Sequence, residues 1–466
     1  MAGWNACICP AFFEGLKDNR KMSKAADFTQ GKILGPLFRF ALPVLFAMFL
    51  QALYGAVDLF VVGWFAESAD VSAVSTGSQL MFTITGIIVS LSMGVTVFMG
   101  QKLGEGRKDM GGRIIGGSIW LFFFIGIAFT AVLTLSSEKL SAIMQAPPEA
   151  FAQTKDYIFF CGAGSVVIVA YNLLAAIFRG IGDARTPLIT VIIACAANIG
   201  GDLLFIAVFH MGARGAALAT VLAQFISVIL SLIIIKKQGL PFPFRRKDIR
   251  KDREVIRNVL TLGTPIALQD LMVGISFLII MAVVNSLGLE YSAGIGVAEK
   301  VCSFIMLIPS AFMNAMSAFV AQNKGAGKYD RALTTLRYAI ITSSLIGVVM
   351  FFFAFFHGDL LAGIFSKDSA VVMLGADYLK AYGIDCLLTC FLFCFIGYYN
   401  GMGATRFVMV QGISAAFLIR VPVAVFMSRW EPVSLFHIGL SIPCSTVYQI
   451  LLCFVFLHML RKKLKF

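Results

Sequence analysis

The stretch Ala194–Thr220, ACAANIGGDLLFIAVFHMGARGAALAT, decides how the rest of the chain is read. It lies in strongly apolar sequence, yet it carries Asn198 and Asp202, four residues apart and so one above the other on a single helix face. Thr186 to Phe209 is long enough to cross a bilayer, and Asp202 is its only charged residue. An ionisable side chain inside such a segment costs roughly 2.5–3.5 kcal/mol on insertion scales, so its retention points to a function. The turn HMGARG follows, centred near Met211, with Asp202 nine residues before it and Thr220 nine after. At about 1.5 Å per residue both lie about 14 Å in from the turn, at one level of an antiparallel hairpin.

Outward from that hairpin the composition is that of a polytopic membrane protein. Of 466 residues 59% are hydrophobic and 14% charged, against about 25% charged in ordinary soluble proteins. Charge-poor apolar windows of about 20 residues or more fall near 36–63, 71–99, 113–135, 155–178, 186–209 and 214–235. A second set falls near 257–286, 292–320, 334–357, 376–399, 405–428 and 433–460. The predicted fold is all-α, with twelve transmembrane helices in two six-helix lobes. The predicted plan is a tail at 1–35, a lobe at 36–235, a basic linker at 236–256, a lobe at 257–460 and a basic end at 461–466. Residues 1–35 mix Lys17, Asp18, Arg20, Lys21 and Lys24 with short apolar runs, not the pattern of a cleaved signal, so the first span is expected to stay.

The formal charge of +13 sits in loops, which argues against nucleic acid as a partner and for membrane topology. Lys102, Arg107, Lys108 and Arg113 follow the second span; Lys324, Lys328 and Arg331 follow the eighth. Arg179 and Arg185 follow the fourth, and Arg461, Lys462, Lys463 and Lys465 close the chain. The connection from Lys236 to Arg257 is the most basic, while Glu67, Asp70 and Glu290 mark the alternate side. Both termini are expected in the cytoplasm of a cell whose plasma or inner membrane holds the chain.

The halves repeat. GQKLGEGRKD at 100–109 matches AQNKGAGKYD at 321–330, an offset of 221 that also carries Leu140, Ile143, Asp156 and Tyr157 to Leu361, Ile364, Asp377 and Tyr378, and Gly182 and Arg185 to Gly403 and Arg406. Six spans per half is an even number, so the repeat is parallel, about an axis along the membrane normal. Such folds hold substrate between the halves.

Asp58, the one charge between Phe40 and Ala66, sits seven to ten residues short of the turn around Glu67–Asp70. With Asn198, Asp202 and Thr220 it forms a set of hard oxygen ligands, suited to Na⁺ or to a proton shared by two acids. Thr220 alone also reads as a hydroxyl satisfied by a neighbouring helix. The second half has its own charges, Asp270, Glu299, Lys300, Asp385 and Arg420, none at a position matching the first set. An Asp385 or Asp270 network with Arg420, or recognition of a charged substrate, are the two readings. Cys386, Cys390 and Cys394 share one helix face and read as small-residue packing; Cys7 and Cys9 form a lone CxC.

These residues resemble the multidrug and toxic compound extrusion (MATE) family, from about residue 33 to 460. The resemblance rests on FALPVLFAMFLQALYGAVDLFVVGWF at 40–65, the GQKLGEG and AQNKGAG pair, FRGIGDARTP at 178–187 and NIGGDLLFIAVFHMGARGAALAT at 198–220. It implies efflux of small amphipathic, cationic compounds in exchange for H⁺ or Na⁺, with no other cofactor and a monomer sufficing. It implies a cation site at Asp58, Asn198, Asp202 and Thr220 and a first-helix bend at Pro43. Gly55 stands where many members have Asn. Val273 and Asn400 stand near positions that are acidic in the NorM-like branch, so the DinF-like branch is the expected home. The rival within the superfamily is a flippase for a lipid-linked saccharide. His210, His357, His437 and His458 form no paired cluster, which argues against a membrane-embedded enzyme.

Overall fold

The computed structural model describes residues 27–464; Cys7, Cys9, Lys465 and most of the expected 1–35 tail lie outside them. Eleven helices in that range are long and apolar enough to cross a membrane, and a bent pair makes a twelfth. They are α1 (Leu34–Phe65), α2 (Ser68–Gly104), α3 (Asp109–Leu135), α4 (Pro148–Ala163 with Ser165–Ile181), α5 (Arg185–Val208) and α6 (Gly212–Gln238). The second half supplies α7 (Arg253–Asn285), α8 (Leu289–Gly325), α9 (Tyr329–Phe356), α10 (Ser369–Gly401), α11 (Thr405–Met427) and α12 (Leu435–Lys463). Each predicted window falls inside or beside one of them. In a medium without hydrogen-bonding solvent, helices satisfy their own backbone, which is why apolar length alone marks them.

Two features lie beyond hydropathy. The halves of α4 meet at 53° around Gly164, where a Cβ would stand 2.4 Å from Val221 of α6. The missing side chain lets α6 enter the bend. α5 ends in a π-helical segment, Leu203–Val208, that begins directly after Asp202. Such segments widen the helix at functional positions.

The two lobes exchange the lead-in segments of their first helices at the end of the bundle where α1 and α7 begin, here the termini side. Phe28 is 1% exposed and stacks on Phe319 of α8 at 4.7 Å. Arg331 of α9 donates to the carbonyls of Phe28, Gly31, Gln30 and Lys32. The segment before α1 thus docks on the C-terminal lobe. Reciprocally, Phe242 packs on Gly111 of α3 and the Asp248 backbone on Gly116, while Arg113 Nε and Nη2 donate to Asp252 at 2.9 and 2.7 Å. Asp252 also caps α7 by accepting from the amides of Glu254 and Val255. The basic linker is therefore a packed strap on the N-terminal lobe, and Val255 and Val259 of α7 are buried in that lobe's core. On the same side Gln101 of α2 donates to Gly401 O at 2.9 Å and Lys324 of α8 donates to Met402 O at 2.7 Å.

Cys386, Cys390 and Cys394 are buried and unbridged. Cys390 faces Gly347 of α9, and Ser343 of α9 lies 3.3 Å from the Cys394 sulfur. They form a close packing face between α9 and α10.

Candidate functional site

The hairpin of α5 and α6 closes as its spacing predicts. His210 and Gly212 take positive φ, 54° and 53°. Gly212 needs the absent Cβ, which would stand 2.3 Å from the Asp70 carboxylate, and Asp70 accepts the Ala213 amide at 2.8 Å. The turn is thereby pinned to the start of α2, next to where α1 ends. Asp58 and the α5–α6 pair are counted from the same end of the lobe and meet at one depth.

Asp58 of α1 is 6% exposed, Asn198 of α5 1% and Asp202 0%; Thr220 of α6 is half-buried. Asp202, Asn198 and Thr220 all face the Asp58 carboxyl. Of these contacts only Thr220 Oγ1 to Asp58 Oδ2, at 3.4 Å, meets hydrogen-bond geometry, and it is a long one. Asp58 Oδ1, both Asp202 oxygens and both amide atoms of Asn198 are buried with no partner among the described residues. Buried polar atoms are almost always satisfied, and among the described residues no ion pair reaches either carboxylate. The donor set of two carboxylates, an amide oxygen and a hydroxyl fits a proton or a small hard cation. No cluster of three or more His, Cys, Asp or Glu occurs among the described residues.

Several lining residues are absent from the sequence reading. Tyr54 of α1 and Tyr157 of α4 lie within electrostatic reach of Asp58, and Tyr157 lies over Gly77 of α2, whose Cβ would stand 2.3 Å from the ring. Tyr157 was visible only as a marker of the repeat. Its counterpart Tyr378 faces Glu299, Arg420 and Asp385 in the other lobe. The same tyrosine thus points at an acidic centre in one half and a mixed-charge centre in the other. Pro43 lies within α1, whose helix continues through it. A Cβ on Gly55 would meet nothing within 4 Å.

Among the described residues Arg420 makes no ion pair with an aspartate, but Asp385 lies within its electrostatic reach. Arg420 is 6% exposed and donates to Ser445 Oγ and Ser276 Oγ, each at 3.2 Å. Its guanidinium stands 4.6 Å from the Phe277 ring centroid, a cation–π contact. Asp385 instead accepts from Thr389, one helical turn on, at 2.6 Å. Asp270 accepts from Ser90 of α2 at 2.5 Å, a bond that crosses between the lobes. Glu299 is half-buried on α8.

The sequence profile of the MatE family matches the chain twice, over residues 43–204 and 265–426. The chain belongs to the MatE family. The two matched copies start at Pro43 and Pro265, both inside helices. Members are transporters, not enzymes. The probable multidrug resistance protein YpnP of Bacillus subtilis is 27% identical, over 93% of this chain and 96% of its own. The probable multidrug resistance protein NorM of Thermotoga maritima is 24% identical, over 89% of each. Among solved structures, an outward-facing MATE family multidrug resistance transporter of the MOP superfamily shares the fold, with a TM-score of 0.88 at 20% identity. That match covers 96% of this chain and 100% of the other. MATE in a bent conformation gives 0.89 at 20% identity, covering 95% and 99%.

Proposed function

We propose that this chain is a secondary multidrug efflux antiporter that exports small amphipathic, cationic compounds in exchange for H⁺ or Na⁺. The observation that carries this reading is the pair of buried carboxylates, Asp58 and Asp202, delivered by two helices with three oxygens between them that have no hydrogen-bond partner among the described residues. Binding of a cation there neutralises charge and changes the packing of α1 against α5 and α6. A bend at Pro43 then converts that local change into closure of the cleft. Movement of one positive charge inward across the membrane yields ~2.3 kcal/mol per 100 mV, enough to bias two packings that differ by a few kcal/mol.

The lobes are taken as 36–235 and 257–460, rocking as a monomer in the cell membrane with both termini in the cytoplasm. On that orientation the contacts of α2 with α8 close the inner side. Asp270, Glu299, Asp385 and Arg420 serve substrate recognition or lobe structure. The site's place in the N-terminal lobe favours the DinF-like branch. Purified protein in liposomes, with pH and Na⁺ gradients imposed separately, tests the reading. Gradient-driven efflux of cationic dyes supports it, and movement of lipid-linked sugars without a gradient contradicts it.

A further inference from the structure

The polar lining of the N-terminal lobe does not stop at Asp58 and Asn198. A cavity of about 10 Å³ bounded by Tyr54, Asn198, Thr220 and Gln224 is followed toward the termini side by one of about 50 Å³. Tyr171 lines both, and Gln51 of α1 donates to its hydroxyl at 2.5 Å. The larger space holds about three waters at roughly 15 Å³ each. At its inner end stands Arg179, two residues before α4 ends.

Arg179 reads in sequence as one more loop cation. Its side chain instead turns into the lobe. Its Nε is buried with no hydrogen-bond partner, and it makes no ion pair among the described residues. A guanidinium does not lose its proton inside a protein. A full positive charge therefore lines the larger cavity, and Tyr171 joins that cavity to the smaller one beside Asn198 and Thr220. Positive groups placed along a narrow polar path exclude cations by field alone. One wall of the larger cavity is Val44, Met48 and Gln51, the stretch of α1 immediately after Pro43. A bend at that proline moves this wall and the Gln51–Tyr171 bond with it.

We infer that Arg179, with the Gln51–Tyr171 hydrogen bond beside it, is an inner electrostatic gate of the N-terminal lobe. It blocks the passage of a cation from Asp58 and Asp202 through the lobe to the termini side, so that the ion crosses only when the lobes move. The inference rests on the cation-site reading above.

The test is passive ion flux through the full chain in liposomes without drug, read for H⁺ with an interior pH dye and for Na⁺ with radioactive sodium. Arg179→Gln and Arg179→Met raise the flux about tenfold, the scale of removing one unit charge from a path inside a protein. Arg179→Lys leaves it near the unmodified rate, and Gln51→Ala raises it less. Asp202→Asn added to Arg179→Gln brings it back down. The inference is overturned if folded Gln and Met variants, as thermostable as the parent, leak no more than it does. It is also overturned if the extra flux survives Asp202→Asn. Should the neutral variants misfold, a Gln51→Ala protein as tight as the parent overturns it. Loss of gradient-driven dye efflux in the unmodified protein counts against the transport reading alone, since the leak is read without drug.

Discussion

Gly104 rests on the backbone of Gln322, and Gly325 rests on that of Gln101 in the same way. A Cβ built on either glycine would stand 2.0 Å from the partner's carbonyl oxygen. The offset of 221 turns each contact into the other, so the pseudo-twofold axis runs between them, through Gly100 and Ala321, whose Cβ positions would be 2.9 Å apart. A self-complementary patch of this kind is what a twofold relation requires. The repeat seen as GQKLGEG and AQNKGAG is thus the surface by which the lobes touch on the termini side.

Gly104→Val and Gly325→Val should therefore have matching effects. Neither helix can yield a backbone oxygen to a new side chain, so the lobes must separate there. Spin labels at the ends of α2 and α8 should report longer distances in both variants, and efflux should fall at least about tenfold, the equivalent of 1.4 kcal/mol. Equal distances in the parent and both variants would show that the glycines are not the contact.

The docked segment before α1 gives a second outcome. Phe28→Ala removes a fully buried ring, a change of about 3–5 kcal/mol in packed cores, and Arg331→Ala removes donors to four carbonyls. Both should expose the backbone of residues 27–32 to hydrogen exchange while leaving exchange in α5 and α6 unchanged. Asp27 strengthens the local turn, since the Thr29 hydroxyl and amide both bond to its carboxyl. The Thr29 hydroxyl holds its pKa below the ordinary carboxylate value.

The strap before α7 should be sensitive to acid. Burial raises the Asp252 carboxyl, but the Arg113 guanidinium and the Val255 and Glu254 amides together outweigh it and leave the group below its ordinary value. A depressed folded pKa contributes stability that is fully present above the unfolded value, about 3.9, and is lost as pH falls through the folded one. Melting temperature should therefore be insensitive to this pair between about pH 5 and 8. Asp252→Asn should lower it across that range, and the difference between the two proteins should shrink on acidification below about pH 4.

What was legible in the sequence follows from what the bilayer enforces. Apolar length marked all twelve spans because a helix in hydrocarbon must be long and uncharged. For the same reason each exception, Asp58 and Asp202 above all, stood out. The hairpin count placed Asp202 and Thr220 correctly because a tight turn leaves no freedom in depth. The rest depended on contacts without a sequence pattern. Phe28 and Phe242 look like tail and linker residues, and only the opposite lobe shows why they are aromatic. Gly164 is one glycine among 43, and its bend depends on Val221 of another helix. Arg420 invited an acidic partner, yet its hydrogen bonds go to two serines, with Asp385 within electrostatic reach. Gln51 and Tyr171 are ordinary within their own spans and gain meaning only from each other.

Asp58 and Asp202 are proposed to bind the coupling cation as one site. The most direct measurement is gradient-driven dye efflux from liposomes by Asp58→Asn, Asp202→Asn and the double variant, with H⁺ and Na⁺ gradients applied in turn. Each single variant should lose most of the gradient-dependent efflux, and the double should be no worse than either, since the two carboxylates act as one site. Full gradient-driven efflux in the double variant would show that the coupling cation binds elsewhere.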